Sequence, residues 1–211
     1  QDADEYINKA TQIHDDYRSS ELVSTAFGPH APYTVSDESV VRIAALAEEL
    51  DVPIHMHLHE TAQEIIDAVA TDGRRPLKRM QDLGIISPRL LCVHATQLLT
   101  KEMALLAKQG ASVIHCPSSN MKLASGFCEV GQLLHHRVNV ALGTDGAASN
   151  NDLDIFGEMH LMALIAKAIA NDAAAVNAQQ ALEIATLNGA KALGLDSEIG
   201  SIETGKFADL C

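Results

Sequence analysis

The sequence predicts an α/β fold built on parallel strands, of the (β/α)-barrel kind, and three observations point there. First, short runs rich in Val, Ile and Leu at residues 22–27, 53–58, 90–94, 112–116 and 138–143 alternate with longer segments of helical period. Strands that are apolar almost throughout belong in a sheet covered on both faces. Second, each strand-plus-helix unit takes about 30 residues, the size of a βαβ crossover. Third, no Gly-x-Gly-x-x-Gly and no Walker A pattern follows any of the runs. That argues against dinucleotide-binding and P-loop folds and leaves the barrel, whose chemistry sits at the carboxyl ends of its strands.

The elements have local causes. Gly or Pro flanks several of the strand runs. Ser36 is a suitable N-cap, with Asp37 and Glu38 in the first turn and Val40, Ile43, Ala44, Leu46 and Ala47 at helical spacing behind it. Further helical patterns cover residues 61–71, 76–83, 100–109, 153–170 and 178–187.

The chain has 211 residues, 47 % of them hydrophobic, and a formal net charge of −13. This is globular composition, and a chain of this length buries roughly 70 % of its unfolded surface. The acidic balance argues against nucleic acid as a partner, since phosphate neutralisation needs clustered Lys and Arg. No apolar run reaches the roughly 18 residues of a membrane span, and no signal peptide opens the chain. Cys92, Cys116, Cys128 and Cys211 lack paired close spacing, so they read as reduced thiols of a cytoplasmic protein. The chain opens at Gln1 without Met and stops at Cys211 after a strand-like segment, so both ends are expected to be cut.

The histidines are ordered. His30 follows the first strand run, and His55, His57 and His59 occupy the end of the second. His94 ends the third, His115 lies at the end of the fourth, and Asp145 follows the fifth. Metal-capable side chains gathered at one end of a sheet are expected of a barrel active site. Strand alternation places His55, His57 and His59 on one face, opposite Met56 and Leu58. One of the three is expected to ligate metal and the others to be packed or supporting, and spacing does not choose among them. Glu60, just beyond the strand, can act as general acid/base on a metal-bound water.

Asp145 lies in an Asp-Gly pair, which by itself reads as a turn, but an apolar strand precedes it and puts the carboxylate at the barrel mouth. The segment from His115 to Asn120 offers hydroxyl and amide groups suited to a polar ligand, and reads equally as a capped turn. His14, His135, His136 and His160 read as solvated or packed. Cys92 and Cys116 read as buried thiols, and the charge run 72–75 as a solvated loop.

Five motifs follow one another in order. They are Gly28-Pro-His-Ala-Pro-Tyr33, His57-Leu-His-Glu60, Val93-His94, the stretch His115-Cys-Pro-Ser-Ser-Asn120 continuing to Gly126, and Gly143-Thr-Asp-Gly-Ala-Ala-Ser-Asn-Asn151. The series resembles the amidohydrolase superfamily, in particular the 5-methylthioadenosine/S-adenosylhomocysteine deaminases and their chlorohydrolase-like relatives. The resemblance runs from about Ser24 to Leu210. It implies a (β/α)8 barrel of which this chain holds strands four to eight, at residues 1–199. Residues 200–211 would start the return to a small β-sandwich.

The resemblance also implies roles. His57 would ligate the metal from barrel strand five, Asp145 from strand eight, and Glu60 would be the proton shuttle. His94, from strand six, would sit beside the hydrolytic water and leaving group. His30, and Ser149 with it, would contact substrate. The implied cofactor is one divalent metal ion, zinc first and iron as the other candidate, with no organic cofactor. The implied reaction is hydrolytic deamination of an adenosine-type nucleoside: Asp145 takes a proton from water, Glu60 protonates the ring nitrogen, and ammonia leaves.

The family adds a His-x-His pair on strand one, whereas here only residues 1–21, a single helix with one histidine, precede strand four. The missing amino-terminal segment of the same protein is thus an expected partner, and a homo-oligomer is a further candidate. Two other readings stay open. One is a relative acting on guanine, cytosine or a triazine, and the other is a non-catalytic piece that assembles with another chain.

Overall fold

A computed structural model describes residues 2–210. At its centre lie four strands, β1 (Ile54–Leu58), β2 (Leu90–His94), β3 (Ser112–His115) and β4 (Asn139–Leu142). They stand in the order β1-β2-β3-β4, and each neighbouring pair is parallel. Spatial order equals chain order, so every crossover advances by one strand in the same sense. That is barrel-like winding, since a doubly wound sheet reverses direction at a switch point. All four carboxyl ends therefore emerge on the same side.

The helices are α1 (Ala3–Tyr17), α2 (Asp37–Leu50), α3 (Ala62–Asp72), α4 (Pro76–Asp82), α5 (Thr100–Gln109), α6 (Pro117–Lys122), α7 (Val130–His135), α8 (Ala147–Asn150), α9 (Ile155–Ala170), α10 (Ala178–Ala185) and α11 (Leu187–Leu193). The Ser36 side chain accepts from the Ser39 N–H and starts α2, whose Val40, Ile43 and Ala47 are buried. Thr61 caps α3 in the same way, and Gly73 ends it with a left-handed φ of 70°. The core joins strand residues Ile54, Met56, Leu58 and Leu90 to helix residues Leu77, Met80, Leu106 and Met162, all fully buried. Among the described residues no helix is long and apolar enough to cross a membrane. Residues 200–210 form turns and no strand.

The expected strand at 22–27 does not form. Only Phe27 bridges β1, at Ile54, while Leu22 is 97 % exposed. The cause is local, because the Ser20 hydroxyl accepts from both the Leu22 and Val23 N–H groups and supplies what a ladder would have offered. Past Phe27 the chain runs beside β1, with His55 N–H on the Phe27 carbonyl and His57 N–H on the His30 carbonyl. The expected helix 178–187 is split at Thr186, whose φ of −129° and ψ of −88° are not helical.

His59 is a second correction, for it does not share a face with His55 and His57. It follows β1 with φ of 58°, which breaks the alternation and turns the ring into the protein. There its Nε2 accepts from the Leu77 N–H at 2.9 Å and its Nδ1 faces the Gln97 carbonyl and Glu102. Arg75 forks onto Glu102 through bonds of 2.7 and 2.9 Å, so the charge run 72–75 is solvated only in part. Burial pushes the His59 pKa down to about 4, against the pull of Glu102. His59→Ala opens a void and orphans a buried N–H, and is expected to cost about 2–4 kcal/mol in urea unfolding.

Cys92, Cys116 and Cys128 are buried free thiols. Burial raises all three, Cys116 to about 12, which keeps them protonated. Cys211 lies outside the described residues.

Candidate active site

The ends of β1, β2 and β4 each contribute a polar side chain to one cluster. His57, near the end of β1, places Nδ1 2.7 Å from the His30 carbonyl oxygen. Because a carbonyl only accepts, Nδ1 carries the hydrogen, and in the neutral ring the lone pair falls on Nε2. An imidazole oriented in this way by its other nitrogen is prepared to ligate a metal. The His57 ring stacks on His94, with centroids 5.4 Å apart, and meets His30 edge-on at 5.1 Å. His55, exposed on the same strand, meets His57 edge-on at 6.4 Å.

His94 ends β2 with φ of 72° and is buried. Its Nδ1 lies 2.9 Å from Asn120 Oδ1, and its Nε2 lies 3.8 Å from Glu60 Oε2. Burial lowers its pKa, and the nearby Glu60 charge opposes that. Glu60 is held from three sides: its Oε1 accepts from the Ser125 hydroxyl at 3.1 Å, its N–H donates to Glu64, and its carbonyl accepts from Thr96. Buried Glu64 also receives the His59 N–H, so one carboxylate fixes the turn that aims Glu60.

Asp145 follows β4 with φ of 61°. Its Oδ2 accepts from the Ser119 hydroxyl and its Oδ1 from the Gly146 N–H, both at 2.7 Å. Burial works to raise its pKa, but these two donors with His94 and His57 outweigh it and hold the carboxyl below its ordinary value. Ser149 lies one turn onward in α8 and is half-buried. His30 is exposed, with Nδ1 3.3 Å from the Thr34 hydroxyl and its ring edge-on to Tyr33. A groove of about 700 Å³ opens beside Glu60 and Tyr33.

His115, at the end of β3, does not join the open cluster. It is buried, its Nδ1 meets the Asn120 amide nitrogen at 3.3 Å, and its Nε2 has no hydrogen-bond partner. Burial, with His94 nearby, pushes its pKa down to about 3. An unfolded histidine titrates near 6.5, so between the two values the unfolded chain binds more protons and acid favours unfolding. The stabilisation is complete above about pH 6.5 and falls by about 2 kcal/mol by pH 5. His115→Gln is expected to flatten this slope in urea midpoints measured from pH 7.5 to 5.

The sequence located His30, His57, Glu60, His94 and Asp145, which converge as described. It missed the supports. Ser119 and Asn120 belong to α6 and hold the carboxylate and the imidazole, where the sequence suggested groups for a ligand. Ser125 lay within the motif that runs to Gly126 but was given no role. His14 bonds Thr25, and His135 and His136 meet edge-on, in keeping with packed or solvated roles.

Chemically, the cluster offers an imidazole lone pair and an ionised carboxylate to a divalent metal, beside a second carboxylate and an imidazole placed to handle protons. The donor types fit zinc, but among the described residues no group of three or more His, Cys, Asp or Glu gathers as a metal site. The fit is therefore partial, one donor or more short of a catalytic zinc site.

A family model described as the amidohydrolase family matches residues 1–211. The 5-methylthioadenosine/S-adenosylhomocysteine deaminase of Saccharophagus degradans is 54 % identical over 206 residues, 98 % of this chain and 46 % of that protein. The crystal structure of an adenosine deaminase from Xanthomonas campestris with bound zinc superposes with a TM-score of 0.96 at 55 % identity. That match covers 98 % of this chain and 47 % of the other. Atrazine chlorohydrolase from Arthrobacter aurescens, complexed with zinc, superposes at 0.92 with 24 % identity over 98 % of this chain and 46 % of its own, a likeness of fold alone. The chain spans about half the length of the relatives it matches.

Proposed function

The chain belongs to the amidohydrolase family, and on that premise we propose that it is the carboxyl-terminal part of a metal-dependent deaminase of adenosine-type nucleosides. In this reading β1 to β4 are barrel strands five to eight, and the stretch from Phe27 to His30 beside β1 stands in strand four's place. Residues 1–199 are barrel, and 200–211 begin the return to a β-sandwich. Its setting is cytoplasmic, with the amino-terminal segment of the same protein as its partner and a homo-oligomer as a further state.

The observation that carries the reading is the prepared pair, His57 with a bare Nε2 and Asp145 held ionised, facing Glu60 and His94. His57 and Asp145 would hold one divalent ion, with zinc ahead of iron. When bound, the metal supplies Lewis-acid activation of water. Asp145 takes one proton from the attacking water and passes it to the departing amine, and Glu60 carries the other proton from the same oxygen to the ring nitrogen beside the amine-bearing carbon. His94 sits beside the water and the departing ammonia, while His30 and Ser149 contact the substrate. 5′-Methylthioadenosine and S-adenosylhomocysteine are the first candidates, supported by the names of the relatives.

The shortage of metal donors favours one competing reading, a piece inactive without further strands. Both are tested with zinc present by assaying ammonia release from 5′-methylthioadenosine, S-adenosylhomocysteine, adenosine, guanine and cytosine, and chloride release from a chlorotriazine. Turnover of the adenosine types by the full-length protein, but not by these residues alone, is the expected pattern. Turnover confined to the other compounds would overturn the substrate assignment.

A further inference from the structure

Asn120 stands between two buried histidines from neighbouring strands. Its Oδ1 lies 2.9 Å from Nδ1 of His94, and its Nδ2 lies 3.3 Å from Nδ1 of His115. All three side chains are buried. The two ends of an amide differ, because the oxygen only accepts and the nitrogen only donates. One hydrogen placement satisfies both contacts. His94 carries its proton on Nδ1 and gives it to the amide oxygen, while His115 offers a bare Nδ1 to the amide N–H and carries its own proton on Nε2. The amide is anchored at its backbone, where the Asn120 N–H reaches the Cys116 carbonyl and the Asn120 carbonyl receives the Ser125 N–H.

The consequence falls on the other nitrogen of His94, which lies 3.8 Å from Glu60 Oε2. A protonated Nε2 facing a carboxylate would close to about 2.7–2.9 Å. The wider gap suits a bare nitrogen, with room for a water that gives one O–H to each acceptor. We propose that Asn120 is a positioning residue that locks His94 in its Nδ1–H tautomer, so that Nε2 is kept as an acceptor for the O–H of the hydrolytic water. This assignment of purpose rests on the deaminase reading, whereas the tautomer itself does not. His115 takes the opposite tautomer on the far side of the same amide.

The test is nitrogen NMR on histidine-labelled full-length protein, with the two signals assigned through His94→Gln and His115→Gln. The unsubstituted protein is expected to show His94 as Nδ1–H and His115 as Nε2–H. In Asn120→Ala the His94 signals move towards a tautomer mixture. Asn120→Asp keeps an acceptor for His94 and restores Nδ1–H. On the proposed nucleosides, Asn120→Ala lowers kcat by roughly 10–100-fold with KM little changed, and Asn120→Asp recovers part of it. His94 found as Nε2–H in the unsubstituted protein overturns the proposal, and so does a His94 tautomer indifferent to Asn120→Ala. If Asn120→Ala does not fold, the unsubstituted spectrum decides alone. A locked Nδ1–H tautomer in a protein without deaminase turnover would instead count against the deaminase reading.

Discussion

Asp145→Asn is expected to lower deaminase kcat in the full-length protein by about a thousandfold or more, some 4 kcal/mol of transition-state stabilisation. The substitution is nearly isosteric, and its amide oxygen can still accept from Ser119, whose hydroxyl lies 2.7 Å from Oδ2. What it removes is charge. The ionised carboxylate is what the Ser119 hydroxyl and the Gly146 N–H stabilise, against the cost of burial. An amide can neither take the proton from water nor neutralise a cation. Two measurements check this, steady-state ammonia release and bound metal, and both should fall. Activity near that of the unsubstituted protein would remove Asp145 from the mechanism.

Glu60→Gln carries the second large effect, a loss of about 10²–10⁴-fold in kcat, the usual worth of a positioned general acid/base. The glutamine oxygen can still accept the Ser125 hydroxyl at the place where Oε1 does, and the backbone bonds of residue 60 to Glu64 and Thr96 are untouched. The turn should hold and metal content should not change. That contrast with Asp145→Asn separates a proton carrier from a metal ligand. Loss of metal in Glu60→Gln would place its carboxylate among the ligands instead.

Much of this was legible in the sequence because it is local. The strand 90–94 and the helix 100–109 have the expected bounds, since one is an unbroken apolar run and the other stops at Gly110, whose φ is 71°. Ser36 and Thr61 announce their helices by side chains that reach three residues on. The chemistry was legible for a related reason, because each strand end leaves its metal-capable residue at the same side of a parallel sheet.

The errors have equally specific causes. A single left-handed residue, His59, undid the alternation that placed three histidines on one face. One hydroxyl, that of Ser20, dissolved the strand at 22–27. Helix α6 was hidden because Ser118, Ser119 and Asn120 are weak helix formers that read as a turn, although Pro117 suits its first position. The supports of the site are contacts between residues far apart in the chain. Ser119 reaches Asp145 across 26 positions, Asn120 reaches His94 across 26, and Ser125 reaches Glu60 across 65. No local pattern encodes such pairs.

The central claim is that water, handled by Asp145 and Glu60, replaces the amine of an adenine ring. Its most direct test is turnover of 5′-methylthioadenosine by the full-length, zinc-loaded protein in water enriched in heavy oxygen, with the product read by mass spectrometry. The account predicts the inosine analogue with one labelled oxygen on the ring, and one ammonia released for each product formed. Unchanged substrate, or a product that retains the amine while another bond has been cut, would contradict it.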